Sequence, residues 1–162
     1  MVHRIRQFGA HVLARVTPEE EGLARRLLPP DAARLFETMP VADRRHALDV
    51  TGRLVAAGHD DPDLLCAALL HDAAKGHRMR LWHRVAGVLL EAVAPGRLRR
   101  LASPDPDSWR HGFHLYLHHA ALSAEMAVAA GCGPRTGAFI RGAADGDDAR
   151  LQRALTEADD AS

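Results

Sequence analysis

Aromatic residues are few in this sequence, and neither sign of charge is in excess. Only 4% of the 162 residues are Phe, Trp or Tyr, and 21 Lys and Arg stand against 21 Asp and Glu. So small an aromatic content leaves little surface on which the bases of a nucleic acid could stack. A formal net charge of zero creates no overall field that attracts a polyanion or an anionic membrane. These shortages argue against nucleic acid and membrane as partners.

Cysteine is scarce, and long apolar runs are missing. The only two cysteines, Cys66 and Cys132, lie far apart and in no CxxC pattern, which is typical of a reducing compartment. No apolar run approaches the roughly 20 residues that span a bilayer. Basic residues interrupt the apolar positions of the first 16 residues, so no secretory signal is recognisable. We therefore expect a cytoplasmic protein.

The alternating apolar pattern of β-strands is also missing. With 47% hydrophobic and 26% charged residues the composition is globular, and the length suits one domain with a sizeable core. Apolar residues recur at three- and four-residue spacing in segments of helical length. The sequence predicts an all-α fold, a compact single-domain bundle of about eight or nine short helices.

Residues 1–40 are predicted to form an N-terminal helical extension to a metal-site core at residues 41–160. A short amphipathic helix is indicated by Ile5, Phe8, Val12 and Val16. A helix on the membrane surface is the alternative for this segment. The sequence Thr17-Pro18-Glu19-Glu20 is typical of a helix start with a capping box. Asp31 is expected to cap a second short helix, which Pro40 ends.

Residues that typically start or end helices set the bounds of the later helices. A third helix is predicted for residues 41–57, a fourth from Asp61-Pro62 to about Gly76, and a fifth for residues 79–93. The buried stripe of the fifth is expected to be Leu81, Val85, Val88, Leu89 and Ala92. Residues 109–119 and 122–130 are predicted as two helices, residues 135–143 as a weaker one, and Asp147 as the cap of the last.

The stretch of residues 66–76 is the one around which the chain is organised. Small and apolar residues lead into His71-Asp72, and Lys75 follows. An imidazole and a carboxylate at the end of an apolar helix cannot both be well hydrated, and a divalent cation is a partner that suits both. The sequence also contains 11 histidines, an unusual number. We interpret His71 and Asp72 as two ligands of a metal site.

Two further residues extend this set of candidate ligands. His46 shares a helical face with Val50 and Leu54, which points it inward. Asp159 ends the apolar stripe of the last helix, with Asp160 as the alternative at that end. Two imidazoles and two carboxylates suit Mn, Fe, Co, Ni or Zn, and the ligand set does not choose among them.

The arrangement of these motifs resembles the HD-domain superfamily of metal-dependent phosphohydrolases. The resemblance covers residues 43–159 and is strongest in two segments, RRHALDV at residues 44–50 and LLHDAAKG at residues 69–76. The second segment departs from the family's LLHDxGK pattern only where Ala74 replaces glycine. The resemblance implies an all-α fold, which agrees with the independent reading of the periodicity.

The resemblance also implies a role for each candidate residue. The metal ligands would be His46, His71, Asp72 and Asp159. Asp72 would take part in catalysis and bridge to a second metal if one is present, and Lys75 would contact phosphate as a catalytic residue. His119 would bind a second metal or the substrate phosphate, and Arg45 could contact phosphate. Many relatives carry further histidines before the final aspartate, and residues 140–145 have none, which favours a mononuclear site.

The function that the resemblance implies is hydrolysis of a small phosphate ester or nucleotide. A bound cation would lower the pKa of water towards about 7, so that hydroxide can attack phosphorus. The cation and Lys75 would stabilise charge on the phosphoryl oxygens. Two alternatives stay open: a non-catalytic metal-containing module that senses a nucleotide or binds a partner, and a purely structural helical domain. The oligomeric state is also open.

Other histidines and the two tryptophans are interpreted as structural. His111, His114 and His118 recur at helical spacing, but a partly exposed polar face is favoured over a histidine site. Trp82 and Trp109 are interpreted as packing residues rather than base-stacking platforms.

Overall fold

The computed structural model describes residues 15–162, except for the side chain of Leu81. Within that range the chain forms nine α-helices and no strand. They are α1 (Pro18–Leu27), α2 (Pro30–Thr38), α3 (Val41–Ala56), α4 (Pro62–Leu70), α5 (Leu81–Val93), α6 (Pro95–Leu101), α7 (His111–Ala129), α8 (Pro134–Arg141) and α9 (Ala149–Asp160), with a 3₁₀-helix at Gly146–Asp148. The all-α prediction is confirmed for the described residues. The amphipathic helix predicted at residues 5–16 lies almost entirely outside them.

Several helix ends form as the sequence predicts. At the start of α1, the backbone N–H of Glu20 donates to Thr17 Oγ1 (3.3 Å) and the N–H of Thr17 donates to Glu20 Oε2 (2.9 Å), which is the predicted capping box. At the start of α4, Asp61 Oδ1 accepts from the N–H of Leu64 (3.0 Å). After α3 the chain leaves the helix at Gly58, whose φ of +85° is the left-handed conformation that favours glycine.

Helix α4 lies at the centre of the fold. Every residue from Leu64 to Leu70 is buried, and the helix packs against α1, α2, α3, α7, α8 and α9. A helix that is apolar on all sides needs neighbours on all sides, so the other helices surround it. The core therefore delivers the end of α4, with His71 and Asp72, to a place that several other helices also reach.

The end of α4 differs from the prediction, which carried this helix to about Gly76. The helix ends at Leu70, and residues 71–78 form consecutive turns. Ala73 donates its N–H to Leu70 O and Lys75 donates to Asp72 O, so these bonds span three residues rather than four. The N–H of Ala74 is taken by the hydroxyl of Ser123 on α7. In residues 73–75, these short-range and tertiary hydrogen bonds take the place of the four-residue backbone bonds of an α-helix.

Three other boundary predictions are wrong for local reasons. The two helices predicted at residues 109–119 and 122–130 are one helix, α7 (His111–Ala129), because the alanines between them favour helix. Asp31 does not cap α2, since it lies inside the first turn and accepts from Arg34. Asp147 does not cap α9, because a 3₁₀ turn intervenes.

The buried stripe predicted for α5 is also wrong. Val85, Val88 and Leu89 are among the exposed large hydrophobic residues, and Ala92 is exposed as well. The helix instead packs through Gly87, where an added Cβ would come within 2.8 Å of the ring of Tyr116 on α7. The periodicity correctly shows which side of α5 carries the large apolar residues. The structure packs α5 against α7 through a different side, the one that carries Gly87.

None of the helices within residues 15–162 has the length and apolar character that a membrane crossing requires.

Candidate metal centre

Helix α3, the turn that follows α4, and helix α9 bring His46, His71 and Asp159 together, although they are distant in sequence. One ligand atom from each residue lies within 4.8 Å of the other two. His46 Nε2 is 2.8 Å from Asp159 Oδ1, and His71 Nε2 is 3.5 Å from the same oxygen. This triad is the predicted convergence of α3, the end of α4 and α9. It contains Asp159, while the alternative Asp160 is exposed.

The packing of each helix explains why these side chains converge. On α3, Val50 and Leu54 are buried below His46 on the same face. On α9, Leu155 and Ala158 are buried in the same core, so the next residue, Asp159, is held at its edge. The core therefore positions the three polar side chains at its edge, where His71 is the least exposed of them and Asp159 is partly open to solvent.

The hydrogen bond on the far side of the His71 ring prepares it to bind a cation. Nδ1 lies 2.9 Å from the carbonyl oxygen of Ala68. A carbonyl only accepts, so Nδ1 carries a proton and donates it; when the ring loses its second proton, as metal binding requires, the lone pair that becomes free is on Nε2. This Nε2 is buried and has no hydrogen-bond partner among the described residues. A backbone carbonyl that orients a ring in this way is usual behind metal-binding histidines.

Asp72 is buried beside the triad and bridges it to two further polar residues. Its Oδ2 accepts from Lys75 Nζ at 2.5 Å and lies 3.7 Å from His71 Nε2. Its Oδ1 is 3.9 Å from His119 Nε2 and has no hydrogen-bond partner in residues 15–162. The predicted pair His71-Asp72 thus presents two buried atoms without hydrogen bonds, one in the triad and one beside it. A buried donor or acceptor in that state is costly, so the pair fits a cation that both atoms could bind.

The electrostatics of the cluster favour positive charge. Burial alone would lower the pKa of His71, but the carboxylates of Asp72 and Asp159 outweigh it and raise the pKa to about 9. Burial would raise the pKa of Asp159, but hydrogen bonds and charge from His46 and His71 hold it well below its usual range. The pKa of Asp72 is likewise depressed against burial, by His71 and Lys75. Two ionised carboxylates, one buried at Asp72 and one partly exposed at Asp159, attract a cation.

His119 lies at the far side of Asp72. Its Nδ1 donates to the carbonyl of Tyr116 at 3.0 Å, so its Nε2 faces Asp72 with a lone pair when the ring is neutral. Burial, helped by the Lys75 ammonium, lowers the pKa of His119. A neutral imidazole at this position is able to accept a proton or a metal bond.

Arg45 is held away from the cluster. Its guanidinium donates to Glu20 Oε1 at 2.5 Å and to Asp49 Oδ1 at 3.0 Å. The side chain that follows it in sequence, His46, enters the triad. The other predicted phosphate contact, Lys75, does lie in the cluster through its bond to Asp72.

Two residues that support the centre were not identified from the sequence. Ser123 is fully buried and its Oγ holds the N–H of Ala74 at 3.0 Å, which ties the His71-Asp72 turn to α7. Ser123 follows His119 by four residues, a spacing that places both on one face of α7. Buried Asp43 accepts from Arg84 Nη2 through both carboxylate oxygens, at 2.8 and 2.9 Å, and so joins α5 to the start of α3.

The remaining histidines and tryptophans lie outside the triad. The rings of His111 and His114 are 5.7 Å apart and those of His114 and His118 are 4.6 Å apart. In the described part of the chain, the triad is the one group of three that could hold a metal. Trp82 and Trp109 are 44% and 62% exposed, more than their interpretation as packing residues implies.

Comparisons of the chain with protein-family models, with curated proteins and with solved structures found no match. The geometry of the centre and the motifs of the sequence therefore carry the functional argument.

Proposed function

We propose that this chain is a metal-dependent phosphohydrolase of the HD-domain type, acting on a small phosphate ester or a nucleotide. The observation that carries the proposal is the unsatisfied pair of buried atoms, His71 Nε2 and Asp72 Oδ1, next to His46 and Asp159. Buried polar atoms without hydrogen bonds are rare in folded proteins, and a bound ligand or ion is one explanation for them. Their chemistry, imidazole nitrogen and carboxylate oxygen, is that of a divalent-metal site.

The residues that would hold one cation are His46, His71, Asp159 and Asp72. Nitrogen and oxygen donors of this kind suit Mn, Fe, Co, Ni or Zn. When bound, such a cation would supply Lewis-acid chemistry. It would neutralise charge on phosphoryl oxygens and lower the pKa of water, so that hydroxide is available to attack phosphorus near neutral pH.

Lys75 and His119 are the residues of this chain that we assign to the substrate. The ammonium of Lys75 lies against Asp72, where a phosphoryl oxygen that approaches the centre would meet it. The Nε2 of His119 is on the other side of Asp72 and is available to hold or transfer a proton, or to bind phosphate. Arg45 would have to give up its contacts with Glu20 and Asp49 to reach phosphate, so we assign it no contact.

The second candidate function is a metal-containing module that binds a nucleotide without turnover. It is favoured by the close contact between Lys75 and Asp72, which already neutralises one of the carboxylates. It also agrees with the absence of histidine from residues 140–145 of the sequence.

Metal analysis and a substrate panel separate these possibilities. Protein purified without a histidine tag should contain close to one equivalent of a divalent metal. After loading with Mn, Co, Ni or Mg, it should release phosphate from at least one phosphomonoester, nucleotide or cyclic nucleotide. Asp72→Asn should lose this activity, and Asp160→Asn, the exposed neighbour of a ligand, should keep it. Metal binding without any turnover would favour the binding module, and no metal binding would contradict both.

A further inference from the structure

A pocket of about 340 Å³ opens between residues 77–83 and residues 106–112, away from the triad. Its size falls at the lower end of the range of small-molecule sites. Two tryptophans, two arginines and three histidines contribute to its lining: Trp82, Trp109, Arg78, Arg80, His77, His83 and His111. The proposed hydrolase mechanism uses none of these residues.

The two indoles form a preorganised aromatic wall. The ring centroids of Trp82 and Trp109 are 6.1 Å apart and the rings are 30° from parallel. Both rings stand edge-on against Phe113, at 5.5 and 6.3 Å, and Phe113 is buried. Large aromatic side chains that stay this exposed while being fixed in orientation are suited to stacking on a flat ligand.

The support behind this wall is also fixed. The ring of His83 stacks on Trp82 with centroids 3.7 Å apart. Its Nδ1 accepts from the N–H of Arg80 at 3.2 Å, and its Nε2 donates to the carbonyl of Trp109 at 2.9 Å. His83 therefore joins the two sides of the pocket. Gly112 makes room for it, because an added Cβ there would come within 2.4 Å of the imidazole.

The charge of the pocket favours an anion. Arg78 donates to the carbonyl of Pro106 and lies 4.0 Å from the exposed carboxylate of Asp107. No ion pair joins the guanidinium of Arg80 to any residue of the described range 15–162, which leaves one full positive charge uncompensated. Arginine is well suited to phosphate because its planar fork offers several N–H donors.

We propose that this pocket binds a nucleotide, with the base stacked on Trp82 and Trp109 and a phosphate on Arg80. As a nucleotide-binding site it stands independently of the metal centre. As the site that selects the substrate, it rests on the proposed function. The pocket begins two residues after Lys75, and His111 precedes His119 by eight residues on α7, about 12 Å along the helix axis.

Intrinsic fluorescence tests the proposal directly, because Trp82 and Trp109 are the only two tryptophans in the sequence. The full chain is excited at the red edge of the indole band and titrated with AMP, ADP, GMP and UMP in the presence of a chelator. Saturable quenching by at least one nucleotide is expected, together with much weaker binding of ribose 5-phosphate. Ribose 5-phosphate that binds as tightly as every nucleotide would overturn the assignment of the aromatic wall. No binding of any nucleotide, by fluorescence or calorimetry, would overturn the proposal as a whole.

Variants separate the base contact from the phosphate contact, with calorimetry as the measurement. Trp109→Leu should weaken nucleotide binding by about fivefold or more, in the range known for loss of one stacking partner, and Trp109→Phe should restore most of it. Arg80→Gln should weaken AMP but not adenosine, whereas Arg97→Gln, an exposed arginine on α6, should change neither. Circular dichroism checks that each variant is folded. Equal affinity of the wild type, Trp109→Leu and Arg80→Gln would contradict the assignment.

The metal centre and the pocket can fail separately. An Asp159→Asn variant should lose metal but keep nucleotide binding. If the wild type binds nucleotides but hydrolyses none, the proposed hydrolase is wrong and the pocket stands. If it hydrolyses nucleotides with a KM unaffected by Trp109→Leu and Arg80→Gln, the pocket does not select the substrate, and that part of the proposal is wrong.

Discussion

His71 shows how one side chain can be made ready for a ligand by its surroundings. The carbonyl of Ala68 takes its Nδ1 proton, and burial keeps water from its Nε2. Of the four buried side-chain atoms that lack a hydrogen bond in the described residues, two belong to the adjacent His71 and Asp72. An atom in that state costs about 1–3 kcal/mol when no charge compensates it, and the carboxylates 3.5 and 3.7 Å from His71 Nε2 offset part of this cost. One cation bound by both atoms explains why two neighbouring atoms lack hydrogen bonds better than two unrelated unsatisfied groups do.

The pKa of His71 predicts how the metal-free protein responds to pH. It is raised from an ordinary 6.5 to about 9, so protonation stabilises the fold fully below about pH 6.5, and this contribution is lost as pH rises through 9. We expect the free energy of unfolding in a chelator to fall by at most about 3 kcal/mol over this interval. Urea unfolding at several pH values measures it.

The matched control for this pH effect is His71→Gln, which has no titrating group there and should show a smaller decline. A saturating divalent metal should also reduce the decline, because the cation takes the place of the proton between the carboxylates. A wild-type curve that is flat from pH 6.5 to 9 in chelator would show that His71 does not interact with these carboxylates as described.

At the scale of elements, the turn after α4 depends on α7. The hydroxyl of Ser123 holds the N–H of Ala74, and α7 also carries His119. The candidate metal centre therefore depends on the packing of α7 against the turn after α4. The sequence shows these two elements only as separate segments.

Ser123→Ala should weaken this link at little cost in packing. Loss of the hydroxyl leaves the Ala74 N–H buried without its partner, and we expect a loss of about 1–2 kcal/mol in the free energy of unfolding. Metal affinity should fall with it, because the turn that carries His71 and Asp72 is less well held. Calorimetric titration with metal measures the affinity. Thr156→Ala, an exposed hydroxyl change on α9, serves as the control, and equal effects of the two substitutions would contradict the role of Ser123.

The exposed face of α5 makes a second prediction at this scale. Leu89 is 60% exposed and Leu70 is fully buried, although both belong to apolar stretches of the sequence. Leu70→Ala should cost about 2–5 kcal/mol of stability through loss of packing and the cavity it leaves. Leu89→Ala should change stability by less than about 0.5 kcal/mol. Chemical denaturation compares them, and a large loss for Leu89→Ala would mean that α5 packs as the sequence alone predicted.

At the scale of the whole molecule, the candidate centre ties together distant parts of the chain. His46 and Asp159 are separated by 113 residues and yet form a direct contact of 2.8 Å. A cation bound to His46, His71 and Asp159 would therefore bind the folded state and not the unfolded chain, where these residues are far apart.

Divalent metal should consequently raise the thermal stability. At a free metal concentration of a hundred times Kd, the expected gain is about 2.7 kcal/mol, or roughly 5–10 °C in Tm for a domain of this size. Differential scanning calorimetry with and without metal measures the shift. Asp159→Asn should reduce it strongly and Asp160→Asn should leave it intact. An equal shift in both variants would place the bound metal elsewhere.

Much of the fold could be predicted from the sequence because local signals agree with it. The capping box at Thr17, the start at Asp61-Pro62 and the stop at Gly58 each depend on neighbouring residues, and all three form as expected. The spacing of His46 and the ends of two apolar stripes likewise indicated which polar groups would meet. The failures at the end of α4 and on α5 lie where contacts between helices outweigh local preference, whereas the two segments of α7 join because the alanines between them favour helix.

The sequence by itself determined the all-α architecture and the three side chains of the triad, because helical periodicity dictates which residues face the core. Only the tertiary structure decided what each polar atom meets. It left His71 Nε2 and Asp72 Oδ1 without a hydrogen bond among the described residues, bound Arg45 to acidic residues and opened the pocket at the two tryptophans. The physical reason is that a hydrogen-bond partner is chosen by distance in space, and separation along the chain does not encode that distance.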